Sequence, residues 1–117
     1  MTSFNSVAET QAQLRMNEHD GYGPILFRRL LERPDSCSPI DFADYTIVHP
    51  GSEIGWHQHV GSEELYFIVA GTPLVRVNER QARLGPGSLS LVHDGGSHAL
   101  INDTQEDVAL LVVQIRR

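Results

Sequence analysis

The chain of 117 residues contains one cysteine, few basic residues and no long apolar run. Because Cys37 has no second cysteine to pair with, no disulfide can form within the chain, and nothing points to an oxidising compartment. Nine basic residues against 15 acidic ones give a net charge of −6, which argues against binding nucleic acid through phosphate contacts. The apolar runs are too short to span a membrane, and the amino terminus lacks the pattern of a signal peptide. We therefore expect a cytoplasmic protein without nucleic-acid or membrane partners.

From residue 21 onward, short apolar runs alternate with breaks rich in glycine and proline. Many short runs with β-branched and aromatic residues are typical of an antiparallel sandwich or barrel. The predicted strands outside the central segment are 25–31, 42–48, 74–77, 81–84, 88–92, 98–101 and 108–115. Residues 1–20 are polar and aperiodic, so we expect either a flexible lead or a short helix docked on the body. The prediction is an all-β fold, with one antiparallel β-barrel domain at residues 21–117.

Two histidines and a carboxylate lie at metal-ligand spacing near the middle of the chain. His57 and His59 are two residues apart, so on one strand both rings leave the same face. Glu64 begins an apolar run after a glycine-serine pair, and a hairpin there would return its carboxylate to the histidines. A shift of one residue in that turn would present Glu63 instead, because such a slip reverses every side chain's face. Both carboxylates stay open at this point.

A third histidine follows a second glycine-rich turn. His98 begins an apolar run after residues 94–97, and it completes a set of three imidazoles and one carboxylate. A lone histidine on a strand is more often a hydrogen-bonded or exposed side chain than a ligand, but this combination of spacings favours metal binding. Such donors suit several first-row divalent metals and do not select among them.

Both segments resemble the two sequence motifs of the cupin superfamily. The first has the form G-x5-H-x-H-x4-E-x6-G, with Gly51, His57, His59, Glu64 and Gly71 at the fixed positions. The second is similar to G-x5-P-x-G-x2-H-x3-N, with Gly87, Gly95, His98 and Asn102 in place and His93 where the family has proline. Together they span about half of the chain.

The resemblance implies a small single-domain metal-binding cupin with a jelly-roll barrel. It also implies that four residues bind one divalent transition metal per chain, which would be zinc, iron, manganese or nickel. The implied ligands are His57, His59, Glu64 and His98, with Glu64 preferred to Glu63 because it keeps the family's spacing to Gly71. The exchange of proline for His93 changes a turn near His98 and leaves the implied ligand set intact.

Three further residues are candidates for proton transfer beside the metal. Tyr66 shares a strand face with Glu64 and can point into the pocket, although it can also be an aromatic core residue. Glu63 and His93 are the other two candidates, and a histidine in a turn is more often simply solvated. All three remain catalytic hypotheses at this stage.

Other polar and aromatic residues carry weaker expectations. His19 and His49 have no partners at useful spacing, and both are expected at the surface. Trp56 should face away from the metal by strand alternation. Gln114 interrupts the last apolar strand and either lines the cavity or lies at a fraying end.

Two strands, near residues 64–70 and 108–115, are apolar on both faces. A single barrel buries only one face fully, so the other face needs a cover. A second copy of the chain or the amino-terminal segment can provide it. We expect a homodimer packed sheet to sheet, which is common among the proteins that this chain resembles.

Four protein ligands leave open positions on a five- or six-coordinate metal, which permits chemistry or capture of a small molecule. The first hypothesis is a metal-dependent enzyme that performs non-oxidative Lewis-acid chemistry on a small oxygen- or nitrogen-bearing metabolite: isomerisation, cyclisation, elimination or rearrangement. The alternatives are an Fe(II)-dependent dioxygenase and a non-catalytic small-molecule-binding cupin. An apolar cavity would favour oxygenation, whereas acid and base groups near the metal would favour proton chemistry.

Overall fold

The computed structural model describes residues 3–117, which form two antiparallel sheets and three short 3₁₀ turns. The strands are β1 (Gln13–Met16), β2 (Pro24–Glu32), β3 (Ile40–Val48), β4 (Glu53–Gln58), β5 (Ser62–Ala70), β6 (Leu74–Val77), β7 (Arg80–Arg83), β8 (Leu89–Val92), β9 (Ser97–Ile101) and β10 (Val108–Arg116). The 3₁₀ turns are Val7–Glu9, Glu18–Asp20 and Arg33–Asp35. The predicted all-β class is confirmed. No helix within residues 3–117 has the length and apolar character needed to cross a membrane.

The two sheets differ in size. The larger has six strands in the order β1-β2-β3-β10-β5-β8, and the smaller has four in the order β4-β9-β6-β7. Asn78 and Glu79 connect β6 to β7, as predicted, and Asn78 supplies the positive φ of 52° that such a turn requires. The predicted series of short strands separated by tight turns therefore matches the structure.

The core lies between the sheets, because both contribute apolar side chains to it. Its buried members are Ile25, Val48, Ile54, Tyr66, Ile68, Val75, Leu100, Val108, Leu110 and Val112. Alternation along β5 explains which residues point inward, since Glu64, Tyr66 and Ile68 are buried. The opposite face of this strand carries Phe67 and Val69, which are 38% and 43% exposed.

The amino-terminal segment adds to the edge of the larger sheet. β1 pairs antiparallel with β2, from Gln13 opposite Phe27 to Met16 opposite Pro24. The Arg28 guanidinium donates hydrogen bonds to the carbonyl oxygens of Val7 and Thr10, at 3.1 and 2.8 Å. Residues 1 and 2 of the expected amino-terminal segment lie outside the described residues. The described part is neither a flexible lead nor a docked helix: it forms a 3₁₀ turn, the edge strand β1 and the turn Glu18–Asp20, which lies beside β4.

Candidate metal centre

Strands of both sheets bring the predicted ligands together. His57 on β4 and His98 on β9 are directly opposite each other in the smaller sheet. His59 follows β4, and its backbone exchanges hydrogen bonds with Gly95 and Gly96, at 2.7 and 2.9 Å. Glu64 lies on β5 of the larger sheet. The site is thus built across the interior between the two sheets.

The four side chains converge on one point. The Nε2 atoms of His57, His59 and His98 form a triangle with sides of 3.0, 3.0 and 3.1 Å. Glu64 Oε1 lies 3.1 Å from His98 Nε2, 3.3 Å from His59 Nε2 and 3.9 Å from His57 Nε2. Three ring nitrogens this close cannot each bring a proton, so the arrangement calls for a cation at its centre.

The donor spacing fits a six-coordinate divalent ion. With bonds of about 2.1 Å, neighbouring ligands of an octahedral ion are separated by ~3.0 Å, whereas a tetrahedral ion would separate them by ~3.4 Å. The sides of the imidazole triangle match the first value. Glu64 Oε1 and His57 Nε2, at 3.9 Å, are the most widely separated of the donor atoms. A six-coordinate ion held by these four residues would keep two positions for another molecule.

Hydrogen bonds orient the ligand rings. His57 Nδ1 lies 2.7 Å from the carbonyl oxygen of Gly55, and because a carbonyl only accepts, Nδ1 carries the proton and Nε2 presents its lone pair. His59 Nδ1 lies 3.4 Å from the Ser62 hydroxyl. His98 Nδ1 is buried and has no hydrogen-bond partner within residues 3–117. Two of the three rings therefore have a second contact that limits their rotation.

The protonation states also suit a cation. Burial alone would raise the pKa of Glu64, but the hydrogen bonds with His57, His59 and His98 outweigh it and lower that pKa. Burial lowers the pKa of His98. A charged carboxylate beside neutral imidazoles is the ligand state that a divalent metal requires.

Tyr66 meets both of its expected placements, because it belongs to the buried core and also lines the cavity of the site. Its ring stacks on that of His98, with centroids 4.4 Å apart and planes 13° apart. Its hydroxyl is buried without a hydrogen-bond partner in the described part of the chain. Burial, and then the charge of Glu64, raise its pKa well above the ordinary value, so the phenol keeps its proton.

Glu63 and His93 do not reach the metal donors. His93 Nδ1 lies 3.2 Å from Glu63 Oε2 on the outer side of β5, where the side chains are 77% and 38% exposed. They line a separate depression with Arg116 and Arg117. Because neighbouring residues of a strand face opposite sides, the preference for Glu64 over Glu63 agrees with the structure.

His19 contacts the site, so the expectation that it lacks a partner is wrong, although its side chain is 44% exposed, as expected of a surface residue. Its ring stacks on that of the ligand His57, with centroids 3.6 Å apart and planes 10° apart. Burial and the neighbouring His57 lower its pKa.

His49 lies elsewhere, 3.1 Å from Asp107. Trp56 is 45% exposed under the Arg76 guanidinium, consistent with its expected outward position.

A cavity of about 250 Å³ adjoins the donors. It is lined by Arg15, Glu18, His19, Ile25, Phe27, Arg29, Phe42, Asp44, Thr46, Ile54, His59, Glu64, Tyr66, Val112 and Gln114. Gln114 therefore lines the cavity, the first of its two expected placements. The wall is both apolar and charged. Its charged groups include Arg29, which donates two hydrogen bonds of 2.7 and 3.0 Å to the Asp44 carboxylate. Ile68 and Leu100 belong to the core and are not among the residues that line this cavity.

Comparison with known proteins agrees with the resemblance to cupins. A protein family described as "Cupin domain" matches residues 44–114, which is more than half of the chain. The oxalate-binding protein of Thermotoga maritima is 32% identical over 99 residues, covering 85% of this chain and 82% of that protein.

Solved structures share the fold. A structure from Thermotoga maritima, described as a predicted oxalate decarboxylase, has a TM-score of 0.94 at 24% identity and covers 97% of this chain and 99% of that one. The polyketide cyclase RemF from Streptomyces resistomycificus has a TM-score of 0.81 at 19% identity, with 98% and 80% covered. At these identities the likeness establishes the fold and leaves the chemistry open.

Proposed function

Since this chain belongs to the cupin family, we propose that it binds one divalent transition metal and acts there on a small chelating metabolite by non-oxidative Lewis-acid chemistry. The observation that carries the proposal is the convergence of four donor atoms, with octahedral spacing, beside a cavity. The proposed metal ligands are His57, His59, Glu64 and His98.

The cavity and the metal donors suit a small chelating substrate. The cavity has a volume of about 250 Å³. Both guanidinium groups on its wall are already paired with carboxylates, Arg15 with Glu18 at 2.8 Å and Arg29 with Asp44 at 2.7 Å, so a substrate carboxylate would bind chiefly to the metal. A molecule with two adjacent oxygen donors could chelate an ion that has two free positions. Oxalate is therefore the first compound to test, a choice that the name of the Thermotoga relative supports.

The residues of the cavity have separate proposed roles. A divalent ion held by the four ligands would supply Lewis-acid polarisation of the substrate oxygens. Tyr66 is the proposed proton donor, supported by its place beside His98 on the wall of the cavity. Ile25, Phe27 and Val112 form the apolar part of the wall. The charged groups on the wall favour proton chemistry over oxygenation.

Capture without turnover is the second candidate. The specific observation in its favour is the name of the relative, an oxalate-binding protein. Both candidates use the same site, so only the fate of the bound molecule separates them.

Calorimetric titration with oxalate and other small carboxylates tests both candidates. We expect binding to the metal-loaded protein and no detectable binding to the metal-free protein. Carbon-13 NMR of the labelled ligand then shows new resonances if it is converted and unchanged resonances if it is captured. Equal binding with and without metal would contradict the proposal.

The expected homodimer and cytoplasmic location stay predictions. The exposed side chains of Phe67, Val69 and Leu89 on the outer face of the larger sheet support the dimer, because a second copy would cover them. Light scattering on the purified protein measures the mass directly. A monomer mass at micromolar concentration would contradict the homodimer.

A further inference from the structure

We propose that His19 is a positioning residue that holds the metal ligand His57 in its binding orientation. The inference rests on the proposed metal site. His19 lies outside the segment 44–114 that matches the family, and it comes from the turn Glu18–Asp20. It is thus a feature of this chain's amino-terminal segment rather than of the two motifs.

The rings of His19 and His57 are in face-to-face contact. Their centroids lie 3.6 Å apart and their planes are within 10°. His57 is held at its edge by the Gly55 carbonyl, at 2.7 Å from Nδ1, and on one face by His19. The edge contact still permits tilting about that hydrogen bond, and the stacked ring removes this freedom. Together the two contacts fix the direction of the Nε2 lone pair.

An unfavourable backbone holds His19 there. Asn17, His19 and Asp20 have positive φ angles of 53°, 51° and 61°. L-residues adopt this left-handed region at a cost, and such conformations cluster at functional sites. None of these three positions is glycine, so the strained backbone also carries side chains. One of them, the His19 ring, lines the cavity.

The turn and β4 pack so closely that there is no room for a side chain between their backbones at Gly55 or Gly21. A side chain at Gly55 would place its Cβ 2.0 Å from the His19 carbonyl oxygen, and one at Gly21 would lie 2.6 Å from the Gly55 nitrogen. The backbones of the turn and β4 are therefore in direct contact two residues before His57. The Tyr22 carbonyl accepts a hydrogen bond of 2.8 Å from the Glu53 nitrogen, which fixes the end of the turn to the same strand.

Cobalt(II) affinity of the full chain tests the proposal, measured by competition with a chelator and by the visible absorption of the bound ion. The first variant is His19→Asn, which removes the ring and keeps a residue suited to the left-handed backbone. The second is His19→Phe, which keeps a flat ring without nitrogen atoms. The matched control is His49→Asn, at an exposed histidine away from the site.

We expect His19→Asn to weaken cobalt binding by roughly 10- to 100-fold and to change the absorption bands, as loss of a supporting contact does at other metal sites. His19→Phe should recover most of the affinity, and His49→Asn should match the wild type. Equal affinity and spectra for wild type and His19→Asn would overturn this inference alone. Equal losses in both His19 variants would overturn the stacking role. No cobalt binding by the wild type would overturn the proposed function as well.

Discussion

Glu63 and Glu64 are neighbours on β5, and each lies close to histidine, yet their surroundings differ in every other respect. Glu64 is buried and lies within 3.9 Å of three imidazoles. Within residues 3–117, the one ion pair of Glu63 is with His93, at 3.2 Å on the exposed side of the strand. An exposed pair of this kind contributes about 0–1 kcal/mol because water screens it. Convergence and burial, rather than residue type, therefore distinguish the inner site.

The pleat of β5 produces this difference. Successive side chains of a strand point to opposite faces, so one residue enters the space between the sheets and the next leaves it. The smaller sheet then presents His57 and His98 across that space, in register with each other. The outer face has no second sheet opposite it among the described residues, and its charges remain in solvent.

Replacing the inner carboxylate should give the largest effect. We expect Glu64→Gln to lower metal affinity by more than about 100-fold, because it removes a charged ligand where even a supporting contact is worth 10- to 100-fold. Glu63→Gln should leave the affinity unchanged. Titration of both metal-free variants with cobalt(II) or zinc(II) measures the difference. Similar losses in the two variants would break the distinction between the faces.

Removing the Tyr66 hydroxyl should reduce turnover without releasing metal. A proton donor contributes roughly 10²- to 10⁴-fold to the rate, so Tyr66→Phe should lose at least the lower figure on any substrate that is turned over. The free energy of unfolding should stay the same or increase, because the removed hydroxyl is buried and has no hydrogen-bond partner within residues 3–117. His93→Ala serves as the outer control and should keep full turnover. Loss of metal from Tyr66→Phe would mean that the residue supports the ligands instead.

Adding one methyl group beside the inner site should destabilise the fold. Gly55→Ala would bring a Cβ to 2.0 Å from the His19 carbonyl oxygen, and overpacking of this kind costs about 1–3 kcal/mol. Gly85→Ala is the matched control, since nothing lies within 4 Å of the added Cβ. Urea unfolding compares the two. Equal stabilities would show that the turn and β4 are not in fixed contact.

The smallest effect concerns pH at the outer face. The Gly61 N–H and then Arg117 lower the pKa of Asp94 below its ordinary 3.8. A carboxyl group with a lowered folded pKa stabilises the fold above its unfolded pKa, and this contribution is lost as the pH falls through the folded value. Asp94→Asn should thus be slightly less stable than wild type at pH 7, with the gap closing below about pH 4. An unchanged gap in acid would contradict the assignment.

The sequence alone predicted most of the fold and the metal donors. Turn residues and short apolar runs located the strands, and the spacing of His57, His59, Glu64 and His98 predicted their convergence. The spacing to Gly71 that the cupin motif requires also selected Glu64 over Glu63. Local pleating can be read from a single chain, whereas the motif spacing has meaning only through the resemblance to the family.

His19 could not be found in that way, because 37 residues separate it from His57 and no periodic pattern links them. The one available indication was residue type: asparagine, aspartate and histidine tolerate the left-handed backbone better than other non-glycine residues. Asn17, His19 and Asp20 together favour a left-handed turn, but not its docking on β4. That contact depends on the pairing of β1 with β2, which the polar character of residues 1–20 does not indicate.

X-ray absorption spectroscopy of the cobalt-loaded protein tests the central claim most directly, because it reports the number of imidazole ligands and the coordination number together. The account predicts a six-coordinate ion with three imidazoles and mixed nitrogen and oxygen ligands at about 2.1 Å. The same spectrum from Glu63→Gln should be indistinguishable. A four-coordinate ion, or one with fewer than three imidazoles, would contradict the account.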